Sequence, residues 1–508
     1  MPKSSDCILG IDIGTSMAKA ALYTVGGKLL IENSVSYSFT SSSKGCVEED
    51  PETQWWKATI ENIKKITKNK VAKGKRILGI GVSCTNALVC VDRDGKSIAP
   101  AIMQMDKRSQ HEVKYISDKI GDEEVFSITG NRIAPGAFSL PSILWLKENR
   151  SSVFKGTYKF LSPSGFIVGK LTGKFSIDTT RACTTLLYDV RQKKWSVEIL
   201  TGLGIPHEKL PDVYKSSEVV GETDDRASKV TGLKQGIPVI SGAMNSVAAG
   251  IALNVKVRDE GFIILGTVGR LCRIVANQAL LKKEFLNTLY SDDGKYLSVA
   301  CMDGTGMSAE LFAREFGTKP AGKNLFEELE KEAQKSLPCA GGLIYLPYLM
   351  GERSPVWDPY AKGVFFGISP SSTKGDFYRA MFEGIAYSLR TNLEVFEKDM
   401  VSDIRVLKIF ESGLGKSRFL QQIISNVLKK EIVPCSVESP ETFGISALAA
   451  LGIGAIKNTE KFVKSGIKVG KPLKPDKENG KKYDNCFLMF NKLYDDLKGD
   501  FRIMYEIQ

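Results

Sequence analysis

Two short segments about 250 residues apart share one pattern, and this pattern limits the fold more than any other feature of the chain. Residues 7–15 read CILGIDIGT and residues 261–269 read GFIILGTVG. Each segment is an apolar run long enough for one buried strand, and each ends in a turn of glycine and threonine. This recurrence predicts two related halves that face each other.

The rest of the sequence alternates between strand-like and helix-like stretches, which predicts an α/β fold. Since 508 residues exceed one ordinary core, we expect a first domain over 1–250, a second over 251–455, and a Lys-rich connector with a final helix over 456–508. Expected strands lie at 77–83 and 238–241, and a hairpin strand at 18–30. Expected helices lie at 51–64, 110–119, 311–316, 376–398, 418–428 and 485–505.

Composition argues against several classes of protein. The sequence has no apolar stretch long enough to cross a bilayer, and its first residues lack the pattern of a secretory signal. Ten cysteines without a C-x-x-C pair, beside two histidines, argue against structural zinc and favour the reduced thiols of a cytoplasmic protein. The net charge of +12 comes from lysines mixed with acids, so we expect a solvated basic surface and neither nucleic acid nor membrane as partner.

Three glycine-rich turns are candidates for phosphate binding: GIDIGT at 10–15, GTVG at 266–269 and SGLGKS at 412–417. Glycines let backbone amides approach phosphate oxygens, and a carboxylate such as Asp12 holds Mg2+, usually through water. Taken alone, each turn is also compatible with a plain tight turn, in which Asp12 caps the backbone. Neither a P-loop nor, in the first strand–helix unit, a dinucleotide fingerprint occurs. The three turns in this order therefore predict a nucleotide site of another kind.

These segments, in this order, resemble the FGGY family of carbohydrate kinases, in the actin/hexokinase/Hsp70-like superfamily. The resemblance extends from residue 8 to about residue 454. Further motifs carry it: VEEDP at 47–51 with tryptophans at 55–56, D-x-R at 106–108, TGN at 129–131, LWL at 144–146, LPYLMGERSP at 346–355, EGIAY at 383–387 and FGISA at 443–447. The resemblance implies two actin-like (ribonuclease H-like) domains that face each other across a ligand cleft.

Individual stretches resemble different branches of this family. Residues 127–148 and 173–195 resemble xylulokinases most, whereas residues 351–367 and 252–259 resemble gluconate kinases. The identity of the sugar is therefore less well determined than the fold.

The resemblance implies roles for individual residues. Asp12 would orient Mg2+ and the transferred phosphoryl group. The residues implied on the nucleotide side are Gly14, Thr15, Gly266, Thr267 and Gly269 for the phosphates, and Gly413, Gly415 and Lys416 beside the adenosine. On the sugar side, Asp106 and Arg108 match the family pattern W-x-D-x-R, whose acid accepts hydrogen bonds from sugar hydroxyls. The alternative for Asp106 and Arg108 is an ion pair on the surface.

Three residues depart from the family pattern where the sugar is expected. Gln104 replaces the tryptophan two residues before the acid, and Asn86 stands at a position often filled by histidine. Asn245, in the small-residue turn at 241–246, aligns with the catalytic aspartate. An amide cannot take the proton of the attacking hydroxyl near neutral pH, and losing a general base costs roughly 10²–10⁴ in rate. A local misalignment or an engineered change would also explain Asn245.

Two functions of different classes are consistent with the sequence. The first is ATP- and Mg2+-dependent phosphorylation of a small sugar or polyol, by resemblance a pentulose such as D-xylulose, with gluconate or another polyol as alternative. The second is a catalytically impaired homologue that binds nucleotide, sugar or a protein partner. The sequence leaves open the sugar, the activity, the role of the Lys-rich C-terminal segment and the oligomeric state, for which a homodimer is one option.

Overall fold

The structure is a computed structural model that describes residues 5–41, 45–255, 257, 259–290, 294–317, 325–398 and 403–507. Its strands are β1 Asp6–Ile13, β2 Met17–Thr24, β3 Leu29–Ser36, β4 Glu48–Glu49, β5 Arg76–Cys84, β6 Ala87–Val91, β7 Ala101–Met103, β8 Lys159–Leu161, β9 Ser176–Asp178, β10 Tyr188–Asp189, β11 Lys194–Trp195, β12 Asp212–Tyr214, β13 Val219–Glu222, β14 Pro238–Ile240, β15 Ala243–Met244, β16 Glu260–Leu265, β17 Gly269–Val275, β18 Leu286–Tyr290, β19 Lys295–Met302, β20 Ile344–Leu346, β21 Val364–Phe366, β22 Val406–Phe410, β23 Glu431–Ser436 and β24 Lys468–Val469. Its α-helices are α1 Lys57–Thr67, α2 Gln110–Ile120, α3 Asp122–Thr129, α4 Ser139–Asn149, α5 Ser151–Gly156, α6 Pro163–Thr172, α7 Thr179–Cys183, α8 Val197–Leu203, α9 Asp225–Thr231, α10 Asn245–Ala252, α11 Thr305–Phe316, α12 Leu325–Ala333, α13 Lys374–Glu397, α14 Arg418–Leu428, α15 Pro440–Gly452, α16 Thr459–Gly466 and α17 Lys477–Ile507.

Each half of the chain contains a central mixed sheet with the same strand order. In the first sheet, β3, β2 and β1 are antiparallel neighbours, and β5 and β14 continue parallel to β1. In the second sheet, β19, β17 and β16 are antiparallel neighbours, and β22 and β23 continue parallel to β16. The two similar segments seen in the sequence form the central strands β1 and β16, which confirms the two related α/β halves.

One helix of each half packs against the sheet of the other half. After β15, α10 lies on the second sheet, where a Cβ added at Gly250 would stand 3.2 Å from the Phe262 ring of β16. After β23, α15 lies on the first sheet, where a Cβ at Gly81 would stand 2.7 Å from the Ile445 carbonyl oxygen. One apolar cluster accordingly runs through both halves and both helices.

The closest approaches between these layers depend on glycines. A Cβ at Gly10 of β1 would overlap the Thr442 carbonyl oxygen of α15. The two exchanged helices cross at Gly444, where a Cβ would overlap the Ala248 carbonyl oxygen of α10. Gly10, at the start of the first glycine-rich turn, is therefore required by helix packing.

Several predicted elements are present with shifted ends, and one is wrong. The helix predicted at 418–428 is α14, and those at 110–119 and 376–398 are α2 and α13. The single strand predicted at 18–30 is wrong, because the chain turns at Gly26 and Gly27, the latter with φ 88°. β2 therefore ends at Thr24, and Leu29 begins a third strand.

The region predicted as a Lys-rich connector is folded onto the body of the protein. It contains α16, β24 and the first turns of α17, which begins at Lys477 rather than at residue 485. Phe462 of α16 and Phe487 and Phe490 of α17 are buried in the apolar clusters. Residues 256 and 258, in the stretch that resembles gluconate kinases, lie outside the described residues. None of the helices described is both long and apolar enough to cross a membrane.

Candidate active site

Asp12 lies near the carboxyl end of the central strand β1 and is 4% exposed. The hydroxyl of Ser83, its neighbour on β5, donates a hydrogen bond of 2.7 Å to Oδ1. Burial, reinforced by Glu441, raises the pKa of Asp12 to about 7, although Lys19, Ser83 and Arg270 act in the opposite direction. A buried carboxylate among these charges is typical of a site that binds a cation.

Asn245 lies at the same edge of the same sheet. Asp12 aligns with Ser83 on β5, and Ser83 aligns with Ala243 on β15. Strands in a sheet lie roughly 4.8 Å apart, so β15 runs about 10 Å from β1, and Asn245 follows it as the first residue of α10. The Thr180 hydroxyl fixes this turn by accepting a hydrogen bond of 2.7 Å from the Met244 amide. Asp12 and Asn245 thus lie two strands apart at the same edge of the first sheet.

Two of the residues predicted on the sugar side, Gln104 and Asn86, have different hydrogen-bond partners. Gln104 donates a hydrogen bond of 3.1 Å to the Thr15 hydroxyl, while its own Oε1 is buried without a partner among the described residues. Asn86 donates to the Ala137 carbonyl at 2.7 Å and accepts from Arg181 at 3.0 Å. Gln104 therefore adjoins the first glycine turn, whereas Asn86 lies against Arg181 of α7.

Asp106 and Arg108 form the ion pair that the alternative predicted, although it is buried and does not lie on the surface. Their closest contact is 2.7 Å, and the two side chains are 0% and 8% exposed. Asp106 also accepts a hydrogen bond of 2.6 Å from the Val47 amide, and Arg108 bonds Glu48 and lies over the Trp145 ring. Both oxygens of Asp106 are thus already bonded within the protein.

The second and third glycine turns touch each other in the second half. Gly266 and Thr267 are exposed in the hairpin between β16 and β17, and the Thr267 carbonyl accepts a hydrogen bond of 3.1 Å from Gly306. A Cβ at Gly413 would stand 2.7 Å from the Leu265 carbonyl oxygen and 4.0 Å from Gly266. The two turns therefore form one exposed glycine surface.

The remaining predicted nucleotide residues differ in what they can offer a ligand. The amides of Gly14 and Gly415 are bonded within their own turns, to Met17 and Ser412 at 2.9 Å each. A Cβ at Gly269 would crowd Thr305, so packing alone requires that glycine. Lys416 is exposed beside the third turn.

Sequence reasoning missed two arginines of this region. Arg270 directly follows Gly269, and its charge acts on both Asp12 and Arg181. Arg181 in α7 is 1% exposed and lies against Asn86. The sequence holds no motif around either residue. The only available signal was a lone cation directly after a glycine turn, as at Arg270.

Comparison with known proteins identifies relatives that extend over nearly the whole chain. Two family models match the chain: "FGGY family of carbohydrate kinases, N-terminal domain" over residues 7–252, and the corresponding C-terminal domain over residues 261–453. The xylulose kinase of Staphylococcus xylosus is 28% identical over 501 residues, which cover 96% of this chain and 99% of that protein. The gluconokinase of Bacillus subtilis is 25% identical over 496 residues, covering 96% and 95%.

A solved structure shows the same fold. The ligand-bound xylulose kinase from Lactobacillus acidophilus superposes with a TM-score of 0.89 at 24% identity, covering 98% of this chain and 100% of that one. The fold is therefore the two-domain, actin-like fold expected from the sequence. Together with the two family models, it establishes that the chain belongs to the FGGY family of carbohydrate kinases.

Proposed function

We propose that this protein transfers the γ-phosphoryl group of ATP to a hydroxyl of a small sugar or polyol, with D-xylulose as the first acceptor to test. The observation that supports it is that Asp12 and Asn245 lie at one edge of the first sheet, and that Arg270, which directly follows the second glycine turn, acts on the Asp12 carboxylate. The xylulose kinase relatives support a pentulose, and the gluconokinase relative supports gluconate as the alternative acceptor.

The residues around Asp12 fit a hydrated Mg2+ ion. The carboxylate supplies oxygen, which Mg2+ prefers, and a side chain at position 14 would crowd it, because a Cβ at Gly14 would stand 2.9 Å from the Met17 carbonyl oxygen and 3.9 Å from Oδ2. When bound with ATP, Mg2+ would neutralise charge on the phosphates. The protein would contribute Asp12 to hold the ion, and Thr15, Gly266, Thr267 and Gly413 to line the phosphates and ribose.

In the transfer, the acceptor oxygen bonds to the γ-phosphorus while the bond to the ADP oxygen breaks, and the acceptor hydroxyl loses its proton. Asn245 can hold that hydroxyl by hydrogen bonding but cannot take the proton. Phosphoryl transfer depends mainly on positioning and electrostatics, so a slow reaction remains compatible with the site. A homologue that binds ligands without efficient transfer is the second candidate, and the amide at position 245 is the observation that favours it.

Two measurements test the proposal together. A coupled assay of ADP release is run with D-xylulose, gluconate, glycerol and erythritol, after subtraction of ATP hydrolysis without acceptor. Calorimetric titration with ATP-Mg is run on the wild type, on Asp12→Asn and on Asp6→Asn, a control on the same strand whose carboxylate pairs with Arg76. We expect the wild type and Asp6→Asn to bind ATP-Mg with similar affinity, and Asp12→Asn to bind it more weakly. No binding at millimolar nucleotide would refute the nucleotide site, and binding without acceptor-dependent ADP release would favour the second candidate.

A further inference from the structure

A histidine and two glutamates lie together where the helices α2 and α4 pack against each other. His111 and Glu112 belong to the first turn of α2, and Glu148 belongs to the last turn of α4. One imidazole nitrogen and one oxygen of each carboxylate all lie within 4.8 Å of one another. His111 and Glu148 are exposed, whereas Glu112 is 2% exposed. The cluster therefore combines two side chains that solvent reaches with one that is buried beneath them.

The buried carboxylate of Glu112 lacks the partner that such a group needs. Its Oε2 atom is buried and accepts no hydrogen bond from any residue that the structure describes. Burial raises the pKa of Glu112, and the charge of Glu148 raises it further, whereas the charge of His111 lowers it. A buried charge is costly unless it is paired or coordinates a metal. The described part of the chain thus leaves this acid with a second acid and an imidazole as its charged neighbours.

The packing of α2 on α4 fixes the spacing of the three side chains. Arg108, just before α2, lies over the ring of Trp145 in α4, with its guanidinium carbon 4.9 Å from the ring centre. Glu148 lies three residues after Trp145 and therefore on the same face of α4. The charge of Arg108 is balanced by Asp106 and Glu48, with contacts of 2.7 Å each. A rigid pair of helices thus presents the cluster, as a precise metal site requires.

We propose that His111, Glu112 and Glu148 bind one Zn2+ ion, which joins α2 to α4. One imidazole and two carboxylates give three ligands, and water would complete the four-coordinate geometry that zinc prefers. The imidazole nitrogen favours Zn2+ over Mg2+ and Ca2+, which prefer oxygen alone. Ligand atoms around one tetrahedral zinc ion lie roughly 3.4 Å apart, and the exposed side chains of His111 and Glu148 can rotate to reach that spacing.

This site is separate from the two metal questions raised by the sequence. It uses no cysteine, so it differs from the structural zinc against which the composition argues. It also shares no residue with the Mg2+ site proposed at Asp12, and it does not depend on the proposed kinase function. Because α2 and α4 both belong to the first half, a bound ion would act on the stability of that half.

The first test titrates the untagged full-length protein with ZnCl2 by calorimetry. Metals are first removed with a chelator, and excess Mg2+ occupies sites that consist of oxygen alone. We expect one Zn2+ per wild-type chain. His111→Asn and Glu148→Gln, both at exposed positions, should each weaken the affinity at least about tenfold, because loss of even an outer-sphere partner costs that much. The controls are His207→Asn, at the other histidine of the sequence, and Glu124→Gln, at an exposed glutamate of α3, and both should bind like the wild type.

The second test measures urea unfolding with and without saturating Zn2+. A ligand that binds only the folded state raises the unfolding midpoint, so we expect Zn2+ to raise it for the wild type. Glu112→Gln removes the buried charge and one ligand, and its midpoint should therefore gain less from Zn2+. Without metal this variant should be at least as stable as the wild type, since the unpaired carboxylate is gone.

Absence of Zn2+ binding by the wild type at micromolar metal would overturn the site, and this result does not depend on any variant folding. Binding that His111→Asn and Glu148→Gln leave unchanged would place the ion elsewhere, for example at the half-buried cysteines, and would also overturn it. Neither nucleotide nor acceptor is present in these measurements. Failure of the zinc site therefore leaves the proposed kinase function intact, and failure of the kinase function leaves the zinc site intact.

Discussion

At the scale of single residues, Asn245 is the position with the largest expected effect on rate. It is 8% exposed and opens α10, where the positive end of a helix favours a negative side chain. Asp has nearly the same shape as Asn and can accept a proton at neutral pH. We expect Asn245→Asp to raise acceptor-dependent ADP release with neutral sugars by part of the roughly 10²–10⁴ that a general base contributes.

The matched control is Asn149→Asp, the same change at the exposed end of α4. Its ADP release should equal that of the wild type. If Asn245→Asp folds correctly and is no faster with any neutral sugar, position 245 is not the site of the base.

Glu49 of β4 should make stability depend on pH. It is 1% exposed and accepts a hydrogen bond from the Trp55 indole, and burial raises its pKa from 4.5 to about 8. Between these two values the folded protein binds more protons than the unfolded chain, so the free energy of unfolding falls as the pH rises. The shift corresponds to a few kcal/mol at most.

Glu49→Gln removes this titration and keeps an oxygen for Trp55. We expect the variant to gain stability relative to the wild type as the pH rises from 5 to 8, and the gap to level off above pH 8. Urea unfolding of both proteins at each pH measures the gap. A gap that does not change with pH would mean that Glu49 keeps an ordinary pKa.

At the scale of elements, the crossing of α10 and α15 depends on one small residue. Alanine normally stabilises a helix relative to glycine by about 1 kcal/mol. At Gly444 the added methyl would overlap the Ala248 carbonyl, and overpacking costs about 1–3 kcal/mol or more. We therefore expect Gly444→Ala to lower the unfolding midpoint in urea. Gly499→Ala in α17, where nothing lies within 4 Å, should raise it or leave it unchanged.

Elements with a strong local signal could be predicted from the sequence, and those defined by long-range contacts could not. The helix α14 was predicted with both ends, and in the structure the Ser417 side chain caps its start while Lys429, in the left-handed region, ends it. The hairpin of β2 and β3 was misread as one strand, since apolar alternation continues on both sides of Gly26 and Gly27. The start of α17 at Lys477 was missed because the first turns of this helix are rich in lysines that face solvent.

The same distinction applies to the candidate site. Asp12 and the glycine turns lie in continuous motifs, so sequence alone identified them. Arg181 has no motif, because its place beside Asn86 depends on α7 reaching β15 through the bond between Thr180 and Met244. Gly10 belongs to the motif that the sequence analysis proposed for phosphate binding, whereas in the structure a Cβ there would overlap the Thr442 carbonyl oxygen of α15, a contact that only the tertiary fold creates.

At the scale of the whole molecule, the first glycine turn and the glycine surface of the second half should approach each other when ligands bind. Closure excludes water from the transferred phosphoryl group, as in other kinases of two lobes. We expect small-angle scattering to show a smaller radius of gyration with ATP-Mg and acceptor together than with no ligand. Asp12→Asn at the same concentrations should remain open. An unchanged radius in the saturated wild type would contradict a hinged cleft.

The exchange of α10 and α15 between the halves has a consequence for how such a protein can be divided. A break between α10 and β16 would leave each fragment with a helix whose receiving surface belongs to the other fragment. Neither piece could complete its interior alone, and the two should recover a native assembly only when made together. We therefore expect that a gene for this fold cannot be split at this point into two proteins that fold independently.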